Sequence, residues 1–434
     1  MVREEMARPS GRLASLWRFR HGVADAGALA VGTVVNGLAA YVFVALGTRR
    51  LGAEGFAPIS VLWTFFAITA ATTVFPVQHW ILRTLAAEGE ARVRAGLPFI
   101  LGGNLVLALV LGGSTWWFRE ALFGSGARWW YPSAIAVLTL SAAVTGVLRG
   151  GLAGRGRFLA TATAIGAENS LRVLAGLVAV AFGWGAAGFT GAMLAGVLVA
   201  ACWPSAFRFA AVPVADNAIA GPGAVTPAES RVDRRDSLGF VTGFAGVSLI
   251  AQVVLTSGPV VLALLGGAPG EMTGLFTALA LFRAPYLLGL GVAARVTGTL
   301  TALVVAGRTR ALRRLRWASV GLTLLAALAA GLIASLVGPW LLRVVFGGDV
   351  RLSHGVVGLV AAVNMLAVGS LLQSLFFIAR SDAARVLRIW LAALATALVW
   401  LLLSPSSALA TVVGALAAAE LVAFTALAVT PDRR

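Results

Sequence analysis

Four ionisable side chains lie deep inside long apolar runs of this sequence: Glu168, Arg172, Arg283 and Glu420. In hydrocarbon an ion costs at least about 2.5–3.5 kcal/mol, so each of these must face protein or a wet cavity. Glu168, Asn169 and Arg172 share the run 158–181, and Glu168 and Arg172 form an i,i+4 pair on one helix face. At 1.5 Å per residue from Phe158, Glu168 lies about 15 Å deep and Arg172 about 21 Å. Two chemistries fit this pair: a structural ion pair, or a cationic lining for an anion, since guanidinium matches phosphate oxygens in a bidentate fork. Arg283 lies about 16 Å into its run by the same rise. It stands two residues before Pro285 and has no acid in its own run, which points to anion binding. Glu420 has the chemistry to take up a proton or to hydrogen-bond a neighbouring helix. Asn36 and Gln252 join Arg172, Arg283 and Glu168 as candidate lining residues, whereas Asn104, Asn364 and Gln373 fit helix packing better. Pro76 and Pro285 fall inside apolar runs, where each can kink a helix and supply a hinge or an inert bend.

Other chemistry has little to stand on. The three histidines, His21, His79 and His354, sit near run ends with no HExxH pair, and Cys202 is a lone thiol in an apolar run, expected to pack. The stretch GLAGRG at Gly151 lacks the GK[ST] and the preceding strand of a phosphate loop and reads as a turn. Neither a metal, a cofactor nor an enzymatic constellation is expected. Any transport would draw on an ion or substrate gradient.

The elements carrying these residues are membrane helices. The 434 residues are 59% hydrophobic and 12% charged, with mean hydropathy +0.91, too apolar for a water-soluble surface. The runs are continuous rather than alternating, which favours helices over a barrel. Twelve spans are expected: 26–46, 56–77, 97–117, 131–147, 158–181, 185–204, 238–265, 272–294, 317–337, 355–378, 389–403 and 408–429. The formal charge of +17 comes with 34 basic residues, all Arg, and nearly all of them lie between the runs. Nucleic acid is therefore a poor partner, and the arginines report topology. The N-terminal segment 1–25 and one set of alternating loops hold most of them, including Arg308, Arg310, Arg313, Arg314 and Arg316. The other loops hold Arg49, Arg50, Arg119, Arg128, Arg343 and Arg351. The positive-inside rule places both termini in the cytoplasm, with no cleavable leader. Arg295 emerges near a span end, where it can snorkel.

Residues 212–237, rich in Pro, Gly, Ala and mixed charge, read as a linker between a first lobe, 26–211, and a second, 238–430, ahead of a short tail, 431–434. The halves look related. Leu51-Gly52 after span one corresponds to Leu265-Gly266 after span seven, and LRGGLAGRGRF after span four to IARSDAARVL after span ten. Parallel repeats of six spans would leave a cleft between lobes.

Gly32 to Leu62, GTVVNGLAAYVFVALGTRRLGAEGFAPISVL, and the stretch LRGGLAGRGRF carry a resemblance. They resemble the polysaccharide-export branch of the multidrug/oligosaccharidyl-lipid/polysaccharide (MOP) flippase superfamily, over nearly the whole chain. The usual Tyr-Gly is replaced here by Gly55, Phe56 and Ala57, and every Lys by Arg. The resemblance implies an all-α pair of six-helix lobes in the bacterial inner membrane that flips an isoprenoid-diphosphate-linked oligosaccharide. Its partners would be the lipid-linked sugar, membrane lipid and the glycosyltransferases or polymerases of the same pathway. Arg172 and Arg283, one per half, are the candidates for the diphosphate by depth rather than by motif.

Three other classes compete. A drug/cation antiporter of the same superfamily would be expected to carry an acid in the lobe cavities, where the first span has Asn36. A non-transporting scaffold would recruit partners through the Arg-rich loops. A membrane glycosyltransferase would need more than the isolated acids Glu54 and Asp349 on the Arg-poor side.

Overall fold

The computed structural model describes residues 11–124, 128–210, 246, 249–380 and 382–430. The expected linker, the C-terminal tail, the first ten residues and the start of span seven lie outside the described residues, as does the side chain of Arg295. Among the described residues there are helices and turns but no strand, as a chain must be that satisfies its backbone in lipid without closing a barrel.

In the first half, α1 (Gly11–Thr69) carries spans one and two and bends at Gly52. A π-helical turn, Ala70–Val74, leads into α2 (Phe75–Ala87). Then follow α3 (Glu90–Trp117), the short α4 (Arg119–Phe123), α5 (Trp130–Gly154) and α6 (Phe158–Ala181). α7 (Gly185–Ala195) tightens into 3-10 geometry over Gly196–Cys202. The second half contains α8 (249–256), α9 (Gly258–Leu264), α10 (Pro269–Phe282) and α11 (Ala284–Val305). It ends with α12 (Thr309–Phe346), α13 (His354–Ile378), α14 (Ala383–Leu403) and α15 (Ala408–Val429). In the first lobe α1 packs on α6 and α5 on α2 and α3; in the second α13 packs on α12 and α15.

Several spans outrun their expected limits. α3 starts at Glu90 rather than 97, α5 runs past 147 to Gly154, and α12 starts at Thr309 rather than 317. Span two continues through the π turn to Ala87, and span eight, α10 plus α11, reaches Val305. The reason is common to all: hydropathy marks what hydrocarbon accepts, while Arg and Ala are good helix formers and carry the helix beyond it.

The two halves share local backbone features. Gly52 and Gly266, each following Leu, take φ +73° and +74°, a left-handed turn that Gly adopts without steric cost. The turns after spans four and ten close with the same bond, Arg157 N–H to Leu152 C=O and Asp382 N–H to Phe377 C=O. Spans two and eight are both interrupted, by the π turn and by a break at Arg283.

The lobes meet toward the Arg-poor loops. Phe276 packs on Phe56 and Trp63, with ring centroids 6.2 and 6.4 Å apart. Tyr41 Oη donates to Ala280 O at 2.5 Å, Thr273 Oγ1 to Ala53 O at 2.6 Å, and Arg49 Nε to Val345 O at 3.0 Å, with Arg49 Nη2 on Val344 O. At the Arg-rich end an arginine of each lobe holds the chain that leaves that lobe's last helix, and in the second lobe it caps the helix itself. Arg155 donates to Ala206 O and Arg208 O, and Arg316 Nη2 to Leu427 O at 2.6 Å and Thr430 O at 2.8 Å. A guanidinium there answers both the orphan carbonyls and the negative end of the helix dipole.

Candidate functional site

In the first lobe α6 places Glu168 and Arg172 on one face, and the carboxylate joins two cations. Glu168 Oε1 accepts from Arg172 Nη2 at 2.8 Å, and Oε2 from Arg149 Nη2 at 2.6 Å. Arg172 is engaged on all sides: Nε donates to Met193 O at 3.0 Å, Nη1 to Asn169 Oδ1 at 2.5 Å, and the guanidinium carbon lies 4.3 Å from the Phe66 ring centre. Gly196 backs it so closely that a methyl group there would stand 2.7 Å from the guanidinium carbon. This geometry is that of a structural ion pair, with an acceptor on each of the three nitrogens of Arg172. Asn169 Nδ2 donates to the backbone carbonyl of Asn36 at 3.1 Å, while Asn36 Oδ1 is buried with no hydrogen-bond partner among the described residues.

The second lobe is different. Arg283 sits where α10 ends and α11 begins, with Pro285 completing the break. Its Nη2 donates to Gln252 Oε1 of α8, and its guanidinium carbon is 5.8 Å from the Tyr286 ring centre. Its Nε is buried without an acceptor, and no carboxylate pairs with it among the described residues. Tyr41 of the first lobe is within electrostatic reach, so Arg283 lies beside the seam between lobes. On α15, Glu420 is fully buried; Oε2 accepts from Ser370 Oγ at 3.2 Å, and Oε1 has no partner. Tyr286 stands within electrostatic reach of both Arg283 and Glu420. The fold therefore brings Gln252, Arg283, Tyr286 and Glu420 into one neighbourhood and keeps Glu168, Arg172 and Asn36 in another.

No protein-family model matches the chain. The uncharacterized protein MT1558/MT1560 of Mycobacterium tuberculosis (strain CDC 1551 / Oshkosh) is 30% identical over 353 residues, which cover 79% of this chain and 75% of that one. The chain belongs to the same family as this mycobacterial protein. The uncharacterized protein Mb3654 of Mycobacterium bovis (strain ATCC BAA-935 / AF2122/97) is 27% identical over 366 residues, covering 80% of each chain. Among solved structures, a multidrug resistance MATE family transporter of the MOP superfamily in its inward-facing conformation superposes with TM-score 0.64 at 16% identity, over 91% of this chain and 93% of its own. A MOP superfamily transporter from Pyrococcus furiosus Vc1 (DSM3638) gives 0.55 at 17% identity, over 94% and 96%. The chain thus has the fold of MATE transporters, in two lobes, and among the described residues nine helices are long and apolar enough to cross a membrane.

Sequence reading passed over two residues of this family member. Arg149 falls two residues beyond the expected end of span four, among the arginines that read as topology; the longer α5 carries it inside. Tyr286 follows Pro285, and a tyrosine in an apolar run reads as packing. Nothing in a single sequence marks either one, since their partners come from other helices. Among the expected packing residues, Asn104 donates to Thr139 O and Asn364 to Val360 O, and Gln373 donates to Ser319 Oγ at 2.9 Å. Cys202 is exposed rather than packed in the core, because the 3-10 segment ends on the outside of the lobe. An apolar thiol is at home where lipid would lie.

Proposed function

We propose that the chain is a transporter of the bacterial cytoplasmic membrane that flips an isoprenoid-diphosphate-linked oligosaccharide by alternating access of its two lobes. The single observation behind this reading is Arg283: a buried cation at a helix break beside the lobe seam, with an unsatisfied donor and, among the described residues, no carboxylate partner. A cation kept at that depth without an acid has a use for an external anion, and a lipid diphosphate is an anion that enters from the bilayer. On this reading the Arg-rich face and both termini are cytoplasmic. The seam at Tyr41, Arg49 and Thr273 then closes the outer side, in keeping with the likeness to an inward-facing transporter. The lobes would comprise 26–211 and 238–430, and glycosyltransferases or polymerases of the pathway would hand over or receive the lipid-linked sugar.

The second reading, a cation-coupled drug antiporter, draws on Glu420, a buried carboxylate with one hydrogen bond and one unsatisfied oxygen. The MOP transporter from Pyrococcus furiosus is described as having a binding pocket of reverse polarity that suggests a different function, so this fold serves pockets of more than one charge. Vesicles reconstituted with the full chain separate the two readings. A fluorescent lipid-linked oligosaccharide should cross in the presence of the wild type and not of Arg283→Gln. Drug uptake driven by a proton gradient and abolished by Glu420→Gln, with no lipid movement, would establish the antiporter instead.

A further inference from the structure

The first lobe buries one carboxylate between two guanidinium groups, so its cluster of Arg149, Glu168 and Arg172 carries one positive charge in excess. Geometry decides which arginine presents it. Arg172 has all three nitrogens bonded and a ring against its face, and its side chain is 3% exposed. Arg149 makes a single contact, Nη2 to Glu168, and is 13% exposed. Its Nε and Nη1 have no acceptor among the described residues. Nor does Arg149 behave like an arginine that serves topology. It stands five residues before the Arg-rich end of α5, about 7.5 Å, near enough to snorkel to water. Helical side chains lean toward the N-terminus of their helix, and for α5 that is toward the Arg-poor face, into the membrane. Arg149 follows that direction and meets Glu168, which leans the opposite way from α6.

We infer that Arg149 is a second substrate-binding residue, the first lobe's contact for the phosphate-bearing group of the lipid carrier, with Glu168 as its positioning residue. The inference rests on the flippase reading above and replaces Arg172, which is buried with an acceptor on each nitrogen, as the counterpart of Arg283. The carboxylate holds one edge of the Arg149 guanidinium and leaves the remaining N–H groups aimed away from Glu168, available for phosphate oxygens. A diphosphate diester carries two negative charges. Arg149 and Arg283 offer it one uncompensated cation on each lobe.

Removing Arg149 leaves Glu168 and Arg172 as a balanced pair, so Arg149→Gln is expected to fold. The test measures binding of farnesyl diphosphate and farnesol to the purified full chain in nanodiscs containing phosphatidylglycerol, alongside the thermal midpoint. Arg149→Gln should weaken farnesyl diphosphate binding about tenfold or more, the effect of a lost charge-assisted hydrogen bond, and leave farnesol binding and the midpoint unchanged. Arg149→Lys, which keeps the charge without the fork, should fall between. Wild-type affinity in Arg149→Gln, with binding lost in Arg283→Gln, overturns the inference and spares the transport reading. Farnesyl diphosphate binding no better than farnesol in the wild type overturns both. Binding that disappears as the phosphatidylglycerol content is raised assigns Arg149 to a general headgroup site and overturns the substrate assignment. Should Arg149→Gln not fold, Arg149→Lys decides: weakened diphosphate binding with an unchanged midpoint supports the inference, and wild-type binding overturns it.

Discussion

In the first lobe Glu168 reaches two arginines, and every nitrogen of Arg172 is occupied. In the second, no ion pair joins Arg283 to Glu420, and each keeps one buried polar atom unsatisfied. The difference is instructive because desolvation penalises both lobes alike. Where Glu168, Arg172 and Asn169 satisfy one another they hold α6 and α7 in one arrangement; where charges are not satisfied, the cost persists and points to a group or proton that comes and goes.

The largest effect should come from taking away the shared carboxylate. Glu168→Ala strands two arginines, one of them with its side chain only 3% exposed, and breaking such a buried arrangement costs about 3–5 kcal/mol. Thermal unfolding followed by size exclusion should show little folded protein; a midpoint near wild type would show that the network holds nothing together. Next is Gly196→Ala, whose methyl meets the Arg172 guanidinium carbon at 2.7 Å. Overpacking of that kind costs about 1–3 kcal/mol, readable as a lowered midpoint. In the second lobe the same class of change should do the opposite. Arg283→Leu removes a cation that lacks a carboxylate partner, so stability should hold or rise by about 1 kcal/mol while transport is lost. A clear drop in its midpoint would mean that Arg283 is as structural as Arg172. The smallest change is Glu420→Gln, which keeps the shape and the Ser370 contact. Its midpoint should move by less than about 0.5 kcal/mol, within the range of an isosteric swap without lost packing. If Glu420 carries the coupling proton, transport in this variant should no longer respond to a pH gradient.

The sequence was legible where one helix suffices to read it. Spans five and twelve start and end where the apolar runs do, at Phe158–Ala181 and Ala408–Val429, because turns and Pro or polar residues bound them closely. The Glu168 and Arg172 pair was readable from i,i+4 spacing alone. Arg149 was not, since its bond to Glu168 joins residues 19 apart on different helices. The balance between an ion pair and a ligand site turns on how many donors are already spent, and that is a property of Met193, Asn169 and Phe66 coming together from three elements. Hydropathy also draws the spans too short, hiding the inner end of α5, and it carries no mark of the π turn that lies inside span two.

The clasp between lobes at Arg49 has an evolutionary consequence. Its acceptors are the main-chain carbonyls of Val344 and Val345 at the end of α12. Any amino acid at those two positions supplies the same oxygens, so selection on this closure acts on one side only. Substitutions at 344 and 345 can drift among apolar types without loosening it, whereas position 49 must keep a long cationic donor. Because no carboxylate takes part, the clasp has nothing to protonate, and acidification alone gives it no reason to release. Among relatives, an arginine fixed at this place beside freely varying neighbours across the seam would be the trace such a lock leaves behind.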